Sequence, residues 1–374
     1  MGQTFFYNWR KIDGYNAPVT VVIGQRGLGK TFGKVYDVLR DFVEIPTNPR
    51  FVYVVETLDD VKILSQNKGE RFFAGVKEFL ENERTKSKRK QKLYSALFSS
   101  QKETSIDEGE TDLVGESNEK ILGGTIKIQG KTAGYLIAIN SYGNLKRNNF
   151  VNIKTIIIDE FIPEQIDIRH LQMARKVASV IQTIARRNDV KIYMLGNSIR
   201  LDDILLVKLK LDNLKLGEIR TIKDKKGILV VAHYVDPKQY AEFTDVSANS
   251  VAGRLATLLG EDNLDRNQFK QDLPENLTIP AKPKASHLLF CLHDNIDSVR
   301  VNVTKDHNQL YVMSDYGKNA RERICFDQKY ISNIVKYQPE WKDYLLNKYE
   351  NGEILFESGV IHLLFKKILK LELN

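Results

Sequence analysis

An α/β fold built on a parallel sheet is expected over the first two hundred residues, with a small α+β domain to follow. Three strand-like runs carry the expectation, each ending in polar residues. The first, Val19-Thr20-Val21-Val22-Ile23, opens into Gly24-Gln25-Arg26-Gly27-Leu28-Gly29-Lys30-Thr31, a complete G-x-x-x-x-G-K-[ST] signature. The second, Thr155-Ile156-Ile157-Ile158, ends in Asp159-Glu160-Phe161. The third, Lys191-Ile192-Tyr193-Met194-Leu195, runs into Gly196-Asn197-Ser198. Apolar β-branched runs of four or five residues read as strands buried on both faces. Their C-terminal ends would then share one crevice. This is the pattern of a P-loop NTPase of the additional-strand, catalytic-glutamate type.

The glycine-rich turn accounts for binding. Backbone N–H groups of Gly24, Gln25, Arg26, Gly27, Leu28 and Gly29 can turn inward around phosphate, and the helix that follows offers its positive end. Lys30 is expected to reach the β- and γ-phosphates of ATP, and Thr31 to ligate Mg²⁺. The second strand adds hydrolysis: Asp159 holds the Mg²⁺ shell and Glu160 polarises the attacking water. Asn197 ends the third strand, where it can sense the γ-phosphate, although Gly-Asn alone is also a good turn. Between these strands, 169–188 reads as a helix ending in Ala185-Arg186-Arg187. Arg186 and Arg187 are candidates for a guanidinium delivered to a neighbouring subunit's γ-phosphate, and Arg26 is the candidate acting in cis.

Phe51–Val55 is the fourth strand expected in this sheet. The 129 positions between Lys30 and Asp159 are long for the fold, and a charged insertion at about 80–125 explains the excess. Six bases fall within Arg84–Lys92, and seven acids with no base follow in Glu103–Glu119. Such runs read as a solvated, partly disordered loop or as a phosphate-gripping one. A hairpin is expected from Gly124–Gln129 and Ala133–Ile139, turning at Gly130-Lys131. Lys146-Arg147-Asn148-Asn149 sits on the loop entering the acidic strand and is a second candidate for polyanion contact.

Domain expectations are 1–205 for the ATPase, 206–283 for a linker or lid, and 284–374 for the last domain. The middle region holds a hairpin, Gly217–Ile222 and Ile228–Val235, a helical patch at Ala248–Leu259, and Pro274, Pro280 and Pro283. Lys208–Lys226 carries seven bases against three acids. The last region alternates like an antiparallel meander over Ser286–Leu292, Ser298–Thr304 and Gln309–Ser314, with helices expected at Gln328–Lys336 and Glu340–Tyr349. His287, Cys291 and His293 would share a strand face, but a second ligand pair for zinc is lacking. Asp294, Asp297, Asp306 and Asp315 fall at expected turns rather than forming a nuclease pattern.

Composition sets outer bounds. A net charge of +8, from 56 basic and 48 acidic residues, favours a polyanionic partner. Two cysteines, Cys291 and Cys325, make no disulfide framework and suit a reducing cytoplasm. No apolar run approaches transmembrane length, so no membrane partner is expected.

With these motifs in place, the chain resembles the DNA encapsidation ATPases of small podoviruses, the Picovirinae-type packaging motors. The resemblance rests on Tyr7-Asn8-Trp9-Arg10-Lys11, Val22–Thr31, Ile157-Ile158-Asp159-Glu160-Phe161 and Tyr193-Met194-Leu195-Gly196-Asn197, with the arginine-bearing helix and a small basic C-terminal domain. It implies a homomeric, pentameric ring in the host cytoplasm, transiently docked on the portal of an empty prohead. There it would drive double-stranded DNA inward, with a packaging RNA as a further possible partner. It matches Lys30, Thr31, Asp159 and Glu160 to the roles above and puts the trans-acting arginine at Arg186 or Arg187. It also implies that the C-terminal domain is RNase H-like, a degenerate nuclease that no longer cleaves. Competing readings are a terminase large subunit with an active nuclease, another translocase or helicase, and a non-hydrolysing, nucleotide-gated nucleic-acid-binding protein.

Overall fold

A computed structural model describes residues 7–25, 27–99, 104–111, 121–141, 150–162, 173–186, 189–197, 203–236, 286–294, 297–304, 309–315 and 322–371. Arg26, Arg187, Lys146–Asn149, Ala248–Leu259, the three prolines and Asp306 lie outside them. The chain divides into two compact units.

The first unit is a nine-stranded sheet. Its strands in chain order are β1 (Val19–Gly24), β2 (Arg50–Val55), β3 (Thr104–Thr111), β4 (Ile121–Ile128), β5 (Lys131–Ala138), β6 (Ile153–Asp159), β7 (Lys191–Asn197), β8 (Ile219–Asp224) and β9 (Gly227–Tyr234). Their spatial order is β3-β4-β5-β2-β6-β7-β1-β9-β8. Strands β5, β2, β6, β7, β1 and β9 are parallel, and antiparallel partners β4 and β8 begin the two edges. Strand β7 lies between β1 and β6, which is the additional-strand arrangement.

One face of this sheet is covered by α1 (Trp9–Asp13), α2 (Lys30–Glu44), α3 (Leu58–Glu83) and α4 (Lys88–Phe98). Helix α2 turns Val35, Val38, Leu39 and Phe42 inward at helical spacing. Helix α3 starts on a Thr57–Asp60 capping box and breaks at Gln66–Gly69, where Asn67, Lys68 and Gly69 take positive φ. The residues of α5 (Met173–Ala185) that lie in this unit bury Val177, Val180 and Ile184.

Two expectations change here. The segment taken for a solvated insertion is largely ordered: it finishes α3 and forms α4 and β3, although 112–120 lie outside the described residues. Apolar positions decide this, because Leu80, Leu93, Leu97 and Ile106 all reach the core. The hairpin assigned to the linker region is β8-β9, and β9 pairs in parallel with β1 from Val19↔Val230 to Ile23↔Tyr234. Its Val230, Val231 and Ala232 are buried, so the first sheet extends past residue 205.

The second unit contains α6 (Ile204–Leu209), which straddles the boundary expected at 205–206 between the ATPase and the linker. Its six-stranded sheet uses β10 (Ser286–His293), β11 (Ser298–Thr304), β12 (Leu310–Ser314), β13 (Arg323–Cys325), β14 (Lys336–Tyr337) and β15 (Ile354–Phe356). The order is β14-β13-β10-β11-β12-β15. The β10-β11-β12 meander is antiparallel as expected, and β13, β14 and β15 add in parallel. Helix α7 (Glu340–Glu350) forms where expected, and α8 (Gly359–Leu369) packs Val360, Leu364, Phe365 and Ile368 inward.

The helix expected at Gln328–Lys336 is only a 3-10 turn at Gln328–Tyr330, followed by a Ser332–Val335 bridge and β14. Ile331 and Ile334 are exposed there, so no apolar stripe exists to bury. A bulge between Leu288 and Phe290 also breaks the register that would align His287 with Cys291 and His293.

Candidate nucleotide site

The site forms at the C-terminal ends of β1, β6 and β7. After β1, Gly27 and Gly29 take φ of 82° and 70°, conformations that side chains resist, and Gly29 caps α2. The Lys30 ammonium is buried and donates to the carbonyl oxygens of Gly24 at 2.6 Å and Gln25 at 2.7 Å. Behind the loop, the Tyr7 N–H donates to the Leu28 carbonyl at 2.7 Å. Trp9 lies so close to α2 that a Cβ on Gly33 would stand 2.6 Å from its indole nitrogen.

Helix α2 brings Thr31 to the end of β6, where its hydroxyl donates to Asp159 Oδ1 at 2.9 Å. The Tyr53 hydroxyl on β2 donates to the other oxygen, Asp159 Oδ2. Burial leaves the Asp159 carboxyl above its ordinary value, although these two hydroxyls offset part of the rise. Burial and the adjacent carboxylate push the Tyr53 phenol well above its ordinary range, so it stays a donor.

Glu160 then takes φ of 49°, which turns its exposed side chain away from the strand direction. Asn197 is buried at the end of β7 and donates from Nδ2 to Glu160 Oε1 at 3.1 Å. Gly196 permits this close turn: a Cβ there would stand 2.6 Å from Ile162 and 3.1 Å from Phe161. Lys30, Thr31, Asp159, Glu160 and Asn197 therefore lie together at these strand ends.

A P-loop with an acidic strand is shared by many proteins, so the whole-chain likeness decides the family. The family pattern for the podovirus DNA encapsidation protein (Gp16) matches residues 111–370. The chain belongs to the podovirus DNA encapsidation protein family. It is 23% identical over 372 residues to the DNA packaging protein of Bacillus phage PZA, covering 96% of each chain. The DNA packaging protein of Bacillus phage phi29 matches to the same extent. A solved structure of the bacteriophage Phi-29 viral genome packaging motor assembly superposes with a TM-score of 0.62 at 18% identity, covering 98% of this chain and 99% of that one. The Phi-28 gp11 DNA packaging motor gives 0.56 at 15% identity with full coverage of both. At such identities the likeness is one of fold.

By family, then, this chain is a DNA encapsidation protein. Arg186 lies exposed just beyond the C-terminus of α5 and makes no ion pair among the described residues. The basic run Arg84–Lys92 is mostly committed within the chain. Arg84 stacks on Tyr94, Lys86 and Lys90 pair with Glu83, and Arg89 pairs with Glu44. The sequence reading missed Tyr53, whose signal is a lone hydroxyl within the apolar run Phe51–Val55. It also did not anticipate that Tyr7 and Trp9 would brace the P-loop.

Proposed function

We propose that this packaging protein is an ATP-hydrolysing translocase of double-stranded DNA. The observation that carries the reading is the 2.9 Å contact joining Thr31 to Asp159 beside Lys30, with Glu160 held by Asn197 on the neighbouring strand end. The donor set suits a nucleotide with Mg²⁺: a hydroxyl and a carboxylate meet next to a buried ammonium that donates to backbone carbonyls. Residues 24–29 would cradle the phosphates, Lys30 would exchange carbonyls for phosphate oxygens, and Thr31 and Asp159 would hold Mg²⁺. Bound there, Mg²⁺ supplies positive charge beside the β- and γ-phosphates.

Glu160 accepts the proton of the attacking water. Its side chain rests against Asn197, and bound nucleotide would release it toward the crevice, a two-state balance that the γ-phosphate would bias. Arg186, or Arg187 beside it, completes the site of the next subunit in a homomeric ring, which we read as pentameric. A site shared across subunits makes turnover depend on assembly. Such a ring would work in the host cytoplasm, docked on a prohead portal, with a packaging RNA as a further partner. No helix among the described residues is long and apolar enough to cross a membrane.

For the second unit we favour an RNase H-like sheet without nuclease activity. The antiparallel meander with parallel strands added at its edges supports the fold. The acids support the loss of cleavage. Asp297 pairs with Lys208 at 2.8 Å and Lys367 at 2.5 Å, and Asp315 lies 3.4 Å from Arg300 and 3.3 Å from Arg323. Burial alone would push Asp297 up, but the two ammonium groups hold it below the usual carboxylate range. Carboxylates neutralised by fixed cations are poor metal ligands.

The test is ATP hydrolysis measured against protein concentration, with and without linear double-stranded DNA, using Lys30→Ala as the blank. A rate per subunit that climbs with concentration and rises further with DNA is expected. A flat rate indifferent to DNA would point to a self-contained ATPase using Arg26.

A further inference from the structure

Tyr53 belongs to no motif, yet it holds half of the acidic centre. On β2 it pairs in register with Ile157 of β6, two residues before Asp159. Side chains two residues apart on a strand share a face, so the phenol runs along the sheet from Ile157 toward Asp159. The span requires the full length of a tyrosine, since a phenylalanine ring stops short of the carboxylate by one atom. The ring is buried and stands edge-on to Phe72, with centroids 5.1 Å apart at 87°. Its hydroxyl donates to Oδ2, while Oδ1 takes the Thr31 hydroxyl.

The two donors are not equivalent. A hydroxyl can give its proton to a carboxylate while its lone pairs face a cation, so Thr31 can serve Asp159 and a metal together. Tyr53 reaches the other oxygen from β2 with its ring buried in the core, and its hydroxyl donates to Asp159. With only Thr31 left, the carboxylate could rotate about its terminal torsion toward the Lys30 ammonium, a broad torsion with little intrinsic preference.

We infer that Tyr53 is a positioning residue that fixes the Asp159 carboxylate for a divalent cation. The inference rests on the reading of Asp159 as a metal ligand. Outer-shell partners that orient metal-binding carboxylates are typically worth ten- to a hundredfold in metal affinity.

The experiment measures Mn²⁺ binding to the full-length chain saturated with ADP, by electron paramagnetic resonance, for wild type, Tyr53→Phe and Asp159→Asn. Tyr53→Phe is expected to weaken Mn²⁺ about tenfold. Its ADP affinity in EDTA is expected to stay at the wild-type value, which a packing defect at the site would not allow. 4-Fluorophenylalanine at position 53 fills the hydroxyl's volume without donating. It should give the same loss, and it replaces the Phe variant should that fold poorly. Wild-type Mn²⁺ affinity in both Tyr53 variants, with Asp159→Asn impaired, overturns the role of Tyr53 and leaves the site reading standing. Wild-type affinity in Asp159→Asn overturns the site reading and this inference with it.

Discussion

At the scale of single residues, the proposed hydrolysis rests on Glu160 and Asn197, and the contact between them allows their contributions to be separated. Glu160→Gln keeps the backbone turn and the amide partner but cannot accept a proton. Turnover should fall by about 10²–10⁴, while ADP binding measured by titration calorimetry stays unchanged. Asn197→Ala leaves the carboxylate in place and releases its restraint, so its loss should be smaller. A second residue-scale property lies in His233, buried on β9 with Nδ1 bonded to the Tyr7 hydroxyl at 2.8 Å. Burial, helped by Lys11, pushes the imidazole down to about 4. The unfolded chain binds that proton near the ordinary value of about 6.5, so acid favours unfolding. The stability that His233 contributes is complete above that value and drains away as pH falls toward 4. In urea unfolding at pH 7 and 4.5, wild type should lose about 2 kcal/mol more than His233→Gln over that interval. Equal losses would show that the imidazole titrates normally.

Elements differ in how plainly the sequence announced them. Strands β1, β6 and β7 were legible because each is buried on both faces and ends in residues with one recognisable chemistry. Helices α3 and α4 were hidden by their charge: Arg84, Lys86, Arg89 and Lys90 look like a solvated run until Glu44, Glu83 and Tyr94 supply their partners. Membership of β9 in the first sheet could not be read locally, since a hairpin sequence fixes the pairing within it and not the strand it joins. Tyr53 stayed invisible because its partner is 106 residues away. The paired state of the basic run has a measurable consequence. Neutralising Arg84, Lys86, Arg89 and Lys90 together should leave the salt dependence of DNA binding, read as the slope of log K against log salt, unchanged. The N-terminal brace should be far less tolerant. Trp9 packs on Tyr7 and Tyr193 and faces the buried Lys34 ammonium 4.2 Å from its ring centroid. Trp9→Ala should cost about 3–5 kcal/mol in chemical denaturation of the first unit.

For the whole molecule, the question is whether one subunit finishes the site of another. Arg186 is exposed, without an ion pair among the described residues, and follows a helix whose buried residues anchor it to the sheet. A cation left free at the end of a fixed element is available to a neighbour. In a closed ring every subunit presents that surface to the next. Two inactive variants then test the arrangement. Glu160→Gln lacks the base but keeps its arginines, and Arg186→Ala/Arg187→Ala lacks the arginines but keeps the base. Each alone should be inactive, since a finger arginine is worth about 10³–10⁵ in rate. Mixed one to one, about a quarter of the interfaces in random rings would join an intact base to an intact arginine. DNA-stimulated hydrolysis should therefore reappear on mixing, rise with the time allowed for subunit exchange, and vanish when Lys30→Ala is added to the arginine variant. If the arginine acts within its own subunit, every site in the mixture has a defect, and no mixing ratio restores turnover.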